Sequence, residues 1–324
     1  MTNYIIRRVI QAIPLLLVIS LTVFVLMNLI PGGPLAAYEN NPNISAEDLE
    51  RLKQELGLDA PIHVRYISWL SAVVRGDWGI SEITRRPALV EITEKLPNTL
   101  YLSITAFICA LLIAIPIGIL SAVRQYSVLD HIATTIAFIG QSMPVFWFGL
   151  ILIIIFNATL KDPVSGGPFL PGGGMFTIGA PFSLEDHLRH LILPATVLTF
   201  FSLGIHIRYM RAGMLDVLHQ DYIRTAHAKG LTERAVLARH AFKNSILPLV
   251  TIIGLEIPGL FAGALITETI FSWPGMGRLF FNSIERGDYA VMMGILMMSA
   301  TLIVLFGLIT DIAYGFLDPR IRFD

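Results

Sequence analysis

Asp221-Tyr222-Ile223-Arg224-Thr225-Ala226-His227-Ala228-Lys229-Gly230-Leu231 is an island of charge and small residues in a chain of 324 residues that is 54% hydrophobic and only 15% charged. Its pattern predicts a short helix ending at Gly230, because glycine suits the left-handed position just past a helix end. Thr232 then stands where it can cap a second helix, Glu233 through Lys243, with the acid favourably placed in its first turn. The setting makes the island decisive. The stretch 190–211 precedes it and 246–272 follows it, and each is as long and apolar as a membrane crossing, which needs about 20 residues in a helix.

Working outward, six such stretches emerge: 9–30, 97–123, 131–157, 190–211, 246–272 and 290–316. Of 23 basic and 24 acidic residues they hold only five: Arg208, Arg211, Glu256, Glu268 and Asp311. A buried core can give one such run but hardly six. The expected fold is therefore an all-α integral membrane protein with six transmembrane helices. Arg7 and Arg8 precede a stretch too long for a signal-peptide core of about 7–15 residues, so 1–30 reads as a retained first span. The net charge of −1 supplies no broad basic field for nucleic acid, and the single Cys109 excludes an internal disulfide.

Basic residues in short loops orient the spans. With the N-terminus inside, the inner segments carry Arg7, Arg8, Arg124, Arg208, Arg211, Arg224, Lys229, Arg234, Arg239, Lys243, Arg320 and Arg322. The short outer loops carry only Lys161, Arg189, Arg278 and Arg286. Both termini are thus expected in the cytoplasm. The organisation expected is a first helix (1–30), an extracytoplasmic loop (31–96), a five-helix core (97–316) containing the cytoplasmic loop 212–245, and a tail (317–324). In the outer loop, Ser45-Ala46-Glu47-Asp48 resembles a capping signal before Leu49, Leu52 and Leu56, with Gly57 at the stop. A second amphipathic helix begins near Pro61 and suits the membrane surface or a cover over neighbouring spans. Loop 158–189, rich in glycine and proline, reads as a flexible outer loop. No phosphate-binding G-x-x-x-x-G-K-[ST] occurs in the chain.

Within the spans, Glu256 is the sharpest candidate. It lies ten residues into an apolar stretch beside Gly254, Pro258 and Gly259. A carboxylate at membrane depth costs about 2.5–3.5 kcal/mol on insertion scales and faces a bundle interior or water. Two readings stay open: Glu256 lines a solute path, or it is a structurally paired group. Glu268 lies twelve residues on, about 18 Å along a helix and about 120° away around it, so the two do not form one site. Glu268 is expected to support an outer loop or gate, and Asp311 to pair with Arg320 or Arg322. His187 and His190, with Glu185, form an incomplete ligand set, and no metal site is assigned. Met292, Met293, Met297 and Met298 read as packing. Pro14, Pro116, Pro144, Pro194, Pro248 and Pro258 read as sources of fixed curvature or of hinges.

The island resembles the cytoplasmic loop signature of bacterial ABC-importer permeases, written E-A-A---G---I-LP. Gly230 matches the glycine, Arg224-Thr225-Ala226 stand at the E-A-A place with only the last identical, and Leu247-Pro248 supplies the Leu-Pro. The departures match the peptide/nickel branch, with its D-Y-I-R-T-A-x-A-K-G-L version. Phe271-Ser272-Trp273-Pro274-Gly275-Met276-Gly277-Arg278-Leu279 and the tail Leu317-Asp318-Pro319-Arg320-Ile321-Arg322 look like the B-type subunit of dipeptide or oligopeptide importers.

The resemblance implies a type I ABC-importer permease architecture in the bacterial inner membrane. It also implies a second homologous permease subunit, two cytoplasmic ATPase subunits and an extracytoplasmic substrate-binding protein. ATP and Mg would be bound by the ATPases, with no cofactor and no catalysis in this chain. It implies further that Asp221, Arg224, Thr225, Ala226, Lys229 and Gly230 lie at or near an ATPase contact. Nickel chelates or glutathione are alternative solutes. An ion-gradient-driven transporter is the alternative of another class, but no inverted repeat is found. An intramembrane enzyme lacks its motifs, since neither G-x-S-x-G nor H-E-x-x-H occurs.

Overall fold

The computed structural model describes residues 2–30, 33–35, 38, 44–55, 57–181 and 183–317. Regular structure among them is helical, with two isolated β-bridges, Ile80 to Pro87 and Lys161 to Pro168. In chain order the helices are α1 (Thr2–Leu29), α2 (Ala46–Glu55), α3 (Ile62–Val74), α4 (Ala88–Val123), α5 (Val128–Ser142) and α6 (Val145–Ile153). The last runs on as a π-helical turn, Ile154–Thr159. Next come α7 (Leu184–Leu218), α8 (Asp221–Ala228), α9 (Glu233–Val236), a second π-helical turn (Leu237–Ala241) and α10 (Phe242–Ser245). Then follow α11 (Leu247–Glu256), a 3₁₀ turn (Ile257–Phe261), α12 (Leu265–Ile270), α13 (Met276–Arg286) and α14 (Tyr289–Leu317).

Among the described residues four helices are long and apolar enough to cross a membrane: Ile5–Leu29, Ala88–Val123, Leu184–Leu218 and Tyr289–Ile312. The other two expected spans are broken. Val128–Ser142 and Val145–Thr159 meet at 104°, and Glu233–Ser245 and Leu247–Phe261 meet at 47°, a bend at the start of the expected span 246–272. The first break has a local cause. Met143 is extended, with ψ 134°, as the residue before a proline is driven to be; Pro144 then opens α6 with its fixed φ of −63°. The stretch 246–272 is likewise not one helix. Pro258 sits in the 3₁₀ turn, Gly263 takes φ +84°, and α12 starts anew at Leu265. By contrast Pro14 and Pro194 lie inside continuous helices.

The chain divides into two units. The first comprises Met1–Leu100, Ile257–Leu265 and Pro274–Asp324. Here Phe24 and Met27 of α1 pack on Met292 and Met293 of α14, as expected of that methionine cluster, and Tyr66 and Trp69 of α3 cover Phe24. The amphipathic α3 thus lies across a span, and Ser20 and Tyr66 share a hydrogen bond of 2.8 Å. Ser45 caps α2, its Oγ accepting from the Asp48 N–H at 3.1 Å, and Gly57 beyond it takes φ +63°. Asp311 pairs with Arg8 of α1 at 3.0 Å, a structural pair as expected for it, though with a partner to which the sequence does not point. Arg320 and Arg322 lie outside the described residues, as does the tail motif from Asp318 onward.

The second unit comprises Tyr101–Glu256 and Ile266–Trp273. Close backbone approaches organise it. A Cβ on Gly204 of α7 would stand 2.6 Å from the Ala137 carbonyl oxygen of α5, and one on Gly118 of α4 2.7 Å from the Met210 Cβ. Such approaches let helices pack tightly where lipid offers no hydrophobic drive. Thr199 adds a bond across helices, donating to the Ala106 carbonyl at 3.1 Å.

Candidate functional site

Two constellations of the second unit stand apart from ordinary packing. The first is α8. Its sequence alternates faces at helical spacing, so Ile223 and Ala226 turn inward. Both are buried with Ala122, Met210, Met214, Val236, Ala241 and Leu249. The other face carries Asp221, Arg224, Thr225 and Lys229, all exposed. Thr225 Oγ1 donates back to the Asp221 carbonyl at 2.9 Å, and Arg224 leans toward the Asp221 carboxylate at 3.5 Å. The helix ends in a Schellman arrangement. Gly230 takes φ +77°, its N–H reaches the His227 carbonyl, and the Leu231 N–H reaches that of Ala226. Of the residues the resemblance places at or near an ATPase contact, Ala226 therefore differs from the rest, because its methyl packs into the chain's own core.

α8 is carried by rigid neighbours. α7 runs on without a break to Leu218, two residues before α8's first turn, so much of the expected loop 212–245 is helix. Past Leu231 the chain is helical from Glu233 to Ser245, the π-helical turn included. Thr232 occupies the N-cap position of α9 without making a side-chain bond there, so the expected hydroxyl cap is not formed. At the base, Arg211 of α7 grips Asp130 of α5 through two bonds of 2.7 and 2.8 Å.

The second constellation lies deeper. Glu256, the last residue of α11, has its Oε2 2.8 Å from Nε2 of His206 on α7. The His206 side chain is fully buried, whereas the Glu256 side chain keeps 30% of its exposure. Phe107 of α4 meets the imidazole edge-on at 5.9 Å between centroids. Nδ1 of His206 is buried without a partner. Sequence reasoning singled out Glu256 and missed His206. Fifty positions separate them, and a count restricted to charged residues passes over a histidine in an apolar span.

Glu268 is fully buried in α12, and its carbonyl accepts from the Trp273 N–H at 2.8 Å. It shares no site with Glu256 among the described contacts. Loop 158–189 is a hydrogen-bonded structure, contrary to the expectation of a flexible loop. Asp162 accepts from the Val164 and Ser165 N–H groups and pairs with Arg189 at 3.1 Å. Thr177 bonds Asp186 through both N–H and Oγ1, and the Gly174 N–H reaches the Phe271 carbonyl at 2.8 Å. The backbone N–H bonds hold the Asp162 carboxyl below the usual carboxylate range, with Arg189 adding to the effect. A cavity of about 550 Å³ opens among these residues, lined by Asn157, Thr177, Glu185 and Arg189. His187 and His190 direct Nδ1 to the carbonyls of Met175 and Asp186, and no cluster of three metal-ligating side chains occurs among the described residues.

Comparison with known proteins gives a consistent picture. Residues 114–323 match the family described as "Binding-protein-dependent transport system inner membrane component". Residues 1–103 match its N-terminal counterpart. The chain is 44% identical to the oligopeptide transport system permease protein AppB of Bacillus subtilis, all of both chains being covered. It is 41% identical to the dipeptide transport system permease protein DppB of Escherichia coli K12, over 99% of each. With the glutathione transport system permease protein GsiC of Escherichia coli O1:K1 it shares 35% over the full length of both. Among solved structures, an inward-facing form of the MetNI methionine ABC transporter aligns with a TM-score of 0.56 and 15% identity. That alignment covers 71% of this chain and 97% of that one.

Proposed function

The chain belongs to the family of binding-protein-dependent transport system inner membrane components, and on that premise we propose that it is the B-type permease subunit of an ATP-driven importer of di- or oligopeptides. It is a multi-pass protein of the bacterial inner membrane with a type I permease fold. In this reading it forms half of a translocation path with a second, homologous permease subunit. Two cytoplasmic ATPases bind ATP and Mg, and an extracytoplasmic protein delivers the peptide. The chain itself hydrolyses nothing and needs no cofactor.

The observation that carries the mechanism is the two-faced α8. A helix that transmits movement must be firm on one side and open on the other. Ile223 and Ala226 anchor it, while Asp221, Arg224, Thr225 and Lys229 stay available and Gly230 sets its end. We assign this outer face to an ATPase cleft, with Ala226 acting from behind. Glu256, half open at the end of α11, lines the path, where its charge attracts the peptide's amino end. Glu268, locked in α12 beside the Trp273 turn, supports the outer gate.

The test is assembly and uptake together. The chain should co-purify with a second permease and two ATPases, and the reconstituted complex should take up a series of peptides only with ATP and a loaded binding protein. Transport by this chain alone would overturn the reading. Glutathione and nickel chelates belong in the same assay as competing solutes; the likeness to a glutathione permease motivates the first.

A further inference from the structure

The His206–Glu256 pair carries more than a contact, because its hydrogen-bond inventory restricts its protonation state. A carboxylate and an imidazole 2.8 Å apart can share protons in three ways. The ring can be doubly protonated against a carboxylate. A protonated carboxyl can donate to Nε2, in which case the neutral ring carries its proton on Nδ1. Or a ring protonated only on Nε2 can donate to an ionised carboxylate. The first two put a hydrogen on Nδ1. That atom is buried without an acceptor, and the ring around it has no exposure. A buried N–H without a partner is among the rarest defects in folded proteins, while an acceptor lacking a donor is better tolerated. Phe107, its plane at 77° to the ring with centroids 5.9 Å apart, supplies no oxygen or nitrogen acceptor, and an N–H to a ring face is only a weak substitute. Only the third arrangement leaves no orphaned donor.

The consequence falls on Glu256. A neutral imidazole satisfies one lone pair of Oε2 without cancelling the charge. The other oxygen, Oε1, takes no hydrogen bond among the described residues, and the side chain remains 30% exposed. The position is fixed by the fold, since α11 ends at Glu256 and a 3₁₀ turn follows. The result is a carboxylate in an apolar stretch, aimed by one donor and still partly exposed. Such a group faces a bundle interior or a water-filled cavity and is suited to pair with a cation there.

We propose that His206 is a positioning residue. Through its Nε2–H it orients the Glu256 carboxylate as a transient site for a primary ammonium, such as the amino end of a peptide in transit. The inference rests on the reading of Glu256 as a path residue and adds to it the positioning partner and the tautomer that partner must hold. Neutrality of the ring is essential to the role. A charged imidazolium would satisfy the carboxylate by itself and leave nothing for the solute.

Two measurements on the assembled transporter test this. The first is ¹⁵N NMR of the complex with labelled histidine, the His206 signals being identified by their loss in His206→Gln. A ring protonated on Nε2 and bare on Nδ1 is expected; a doubly protonated ring, or a proton on Nδ1, overturns the proposal. The second compares translocation of a peptide with that of its N-acetylated form, each delivered by saturating loaded binding protein. Glu256→Gln and His206→Leu should each reduce the preference for the free amine about tenfold, the loss of one charge-assisted contact. His206→Gln, which keeps a donor near the Nε2 position, should retain it. Should His206→Leu fail to assemble, His206→Asn serves instead, since its shorter amide falls short of the carboxylate. A preference lost in Glu256→Gln but unchanged in the donor-lacking variant refutes the role of His206 and leaves the path reading standing. A preference unchanged in both removes Glu256 from the path altogether.

Discussion

Arg211 holds Asp130 with both arms of its guanidinium, Nε to Oδ1 at 2.7 Å and NH2 to Oδ2 at 2.8 Å. The pairing joins α7 to α5 near the base of α8. Asp130 is 4% exposed and also accepts from the Tyr126 N–H, so its charge depends on Arg211. Removing one member of a buried pair strands the other at a cost of about 3–5 kcal/mol. Because Arg211 keeps 26% exposure, Arg211→Ala is expected near the low end, about 3 kcal/mol. Asp130→Asn, which stays an acceptor, should cost less, and a double replacement by leucine should recover part of the loss. Thermal unfolding in detergent checks the order. Equal melting temperatures for wild type and Arg211→Ala would show that the pair holds nothing.

Two glycines predict opposite outcomes from the same substitution. A Cβ on Gly213 would stand 2.2 Å from the Ser245 carbonyl oxygen, a backbone atom that cannot step aside. Gly213→Ala should therefore force α7 from α10 and lower stability by at least the 1–3 kcal/mol of an overpacked core. Gly230 has φ +77° with nothing within 4 Å of an added Cβ. Gly230→Ala meets only backbone strain, about 1 kcal/mol, so the complex should still assemble. Assembly yield and melting temperature read both; a Gly230→Ala loss as large as that of Gly213→Ala would contradict the contact geometry.

The membrane character, the number of apolar stretches and both helices of the α8 connection are legible in the sequence, because hydropathy and the glycine stop at Gly230 are local signals, although the Thr232 hydroxyl cap does not form. The breaks are only half legible. Pro144 and Pro258 are visible as proline, but proline also sits inside unbroken helices, as Pro14 and Pro194 do here. Hydropathy sums composition and carries no information on chain direction, so 131–157 and 246–272 read as single spans. Partners are the least legible. Asp130 lies one residue outside the expected span, and its ligand is Arg211, 81 positions away. His206 finds Glu256 across 50. Nothing local to His206, inside its span, or to Asp130, at the edge of one, points to its partner. The same holds for loop 158–189, whose glycines suggest freedom while Asp162 and Arg189 tie it down.

That tie is sensitive to acid. The Asp162 carboxyl titrates below its ordinary value, chiefly because it accepts the Val164 and Ser165 N–H bonds. The folded loop therefore favours the ionised form. Its contribution is complete above the unfolded carboxylate value of about 3.9 and is lost as pH falls through the lower folded value. Amide-exchange protection of residues 164–170 should accordingly hold near neutrality and drop in strong acid, while Asp162→Asn should show reduced protection already at neutral pH. A variant as protected as the wild type at neutral pH would mean that the carboxylate does not organise the loop.

The inner and outer faces of α8 should fail differently. Ile223 is 2% exposed among Met210, Met214 and Leu249, so Ile223→Ala opens a cavity and should cost about 2–5 kcal/mol. Its effect on transport should follow its loss of folded protein. Arg224 and Lys229 project into solvent, and replacing either with alanine should shift stability by no more than about 0.5 kcal/mol. If the outer face enters an ATPase cleft, those same replacements should nevertheless lower peptide-stimulated ATP hydrolysis in the reconstituted complex. Deleting Thr225–Gly230 should abolish the link between hydrolysis and uptake while the membrane helices still insert. The discriminating quantity is the ratio of stimulated to basal hydrolysis at equal amounts of assembled complex. A ratio unchanged in Arg224→Ala, Lys229→Ala and the deletion alike would place the ATPase contact elsewhere on the chain.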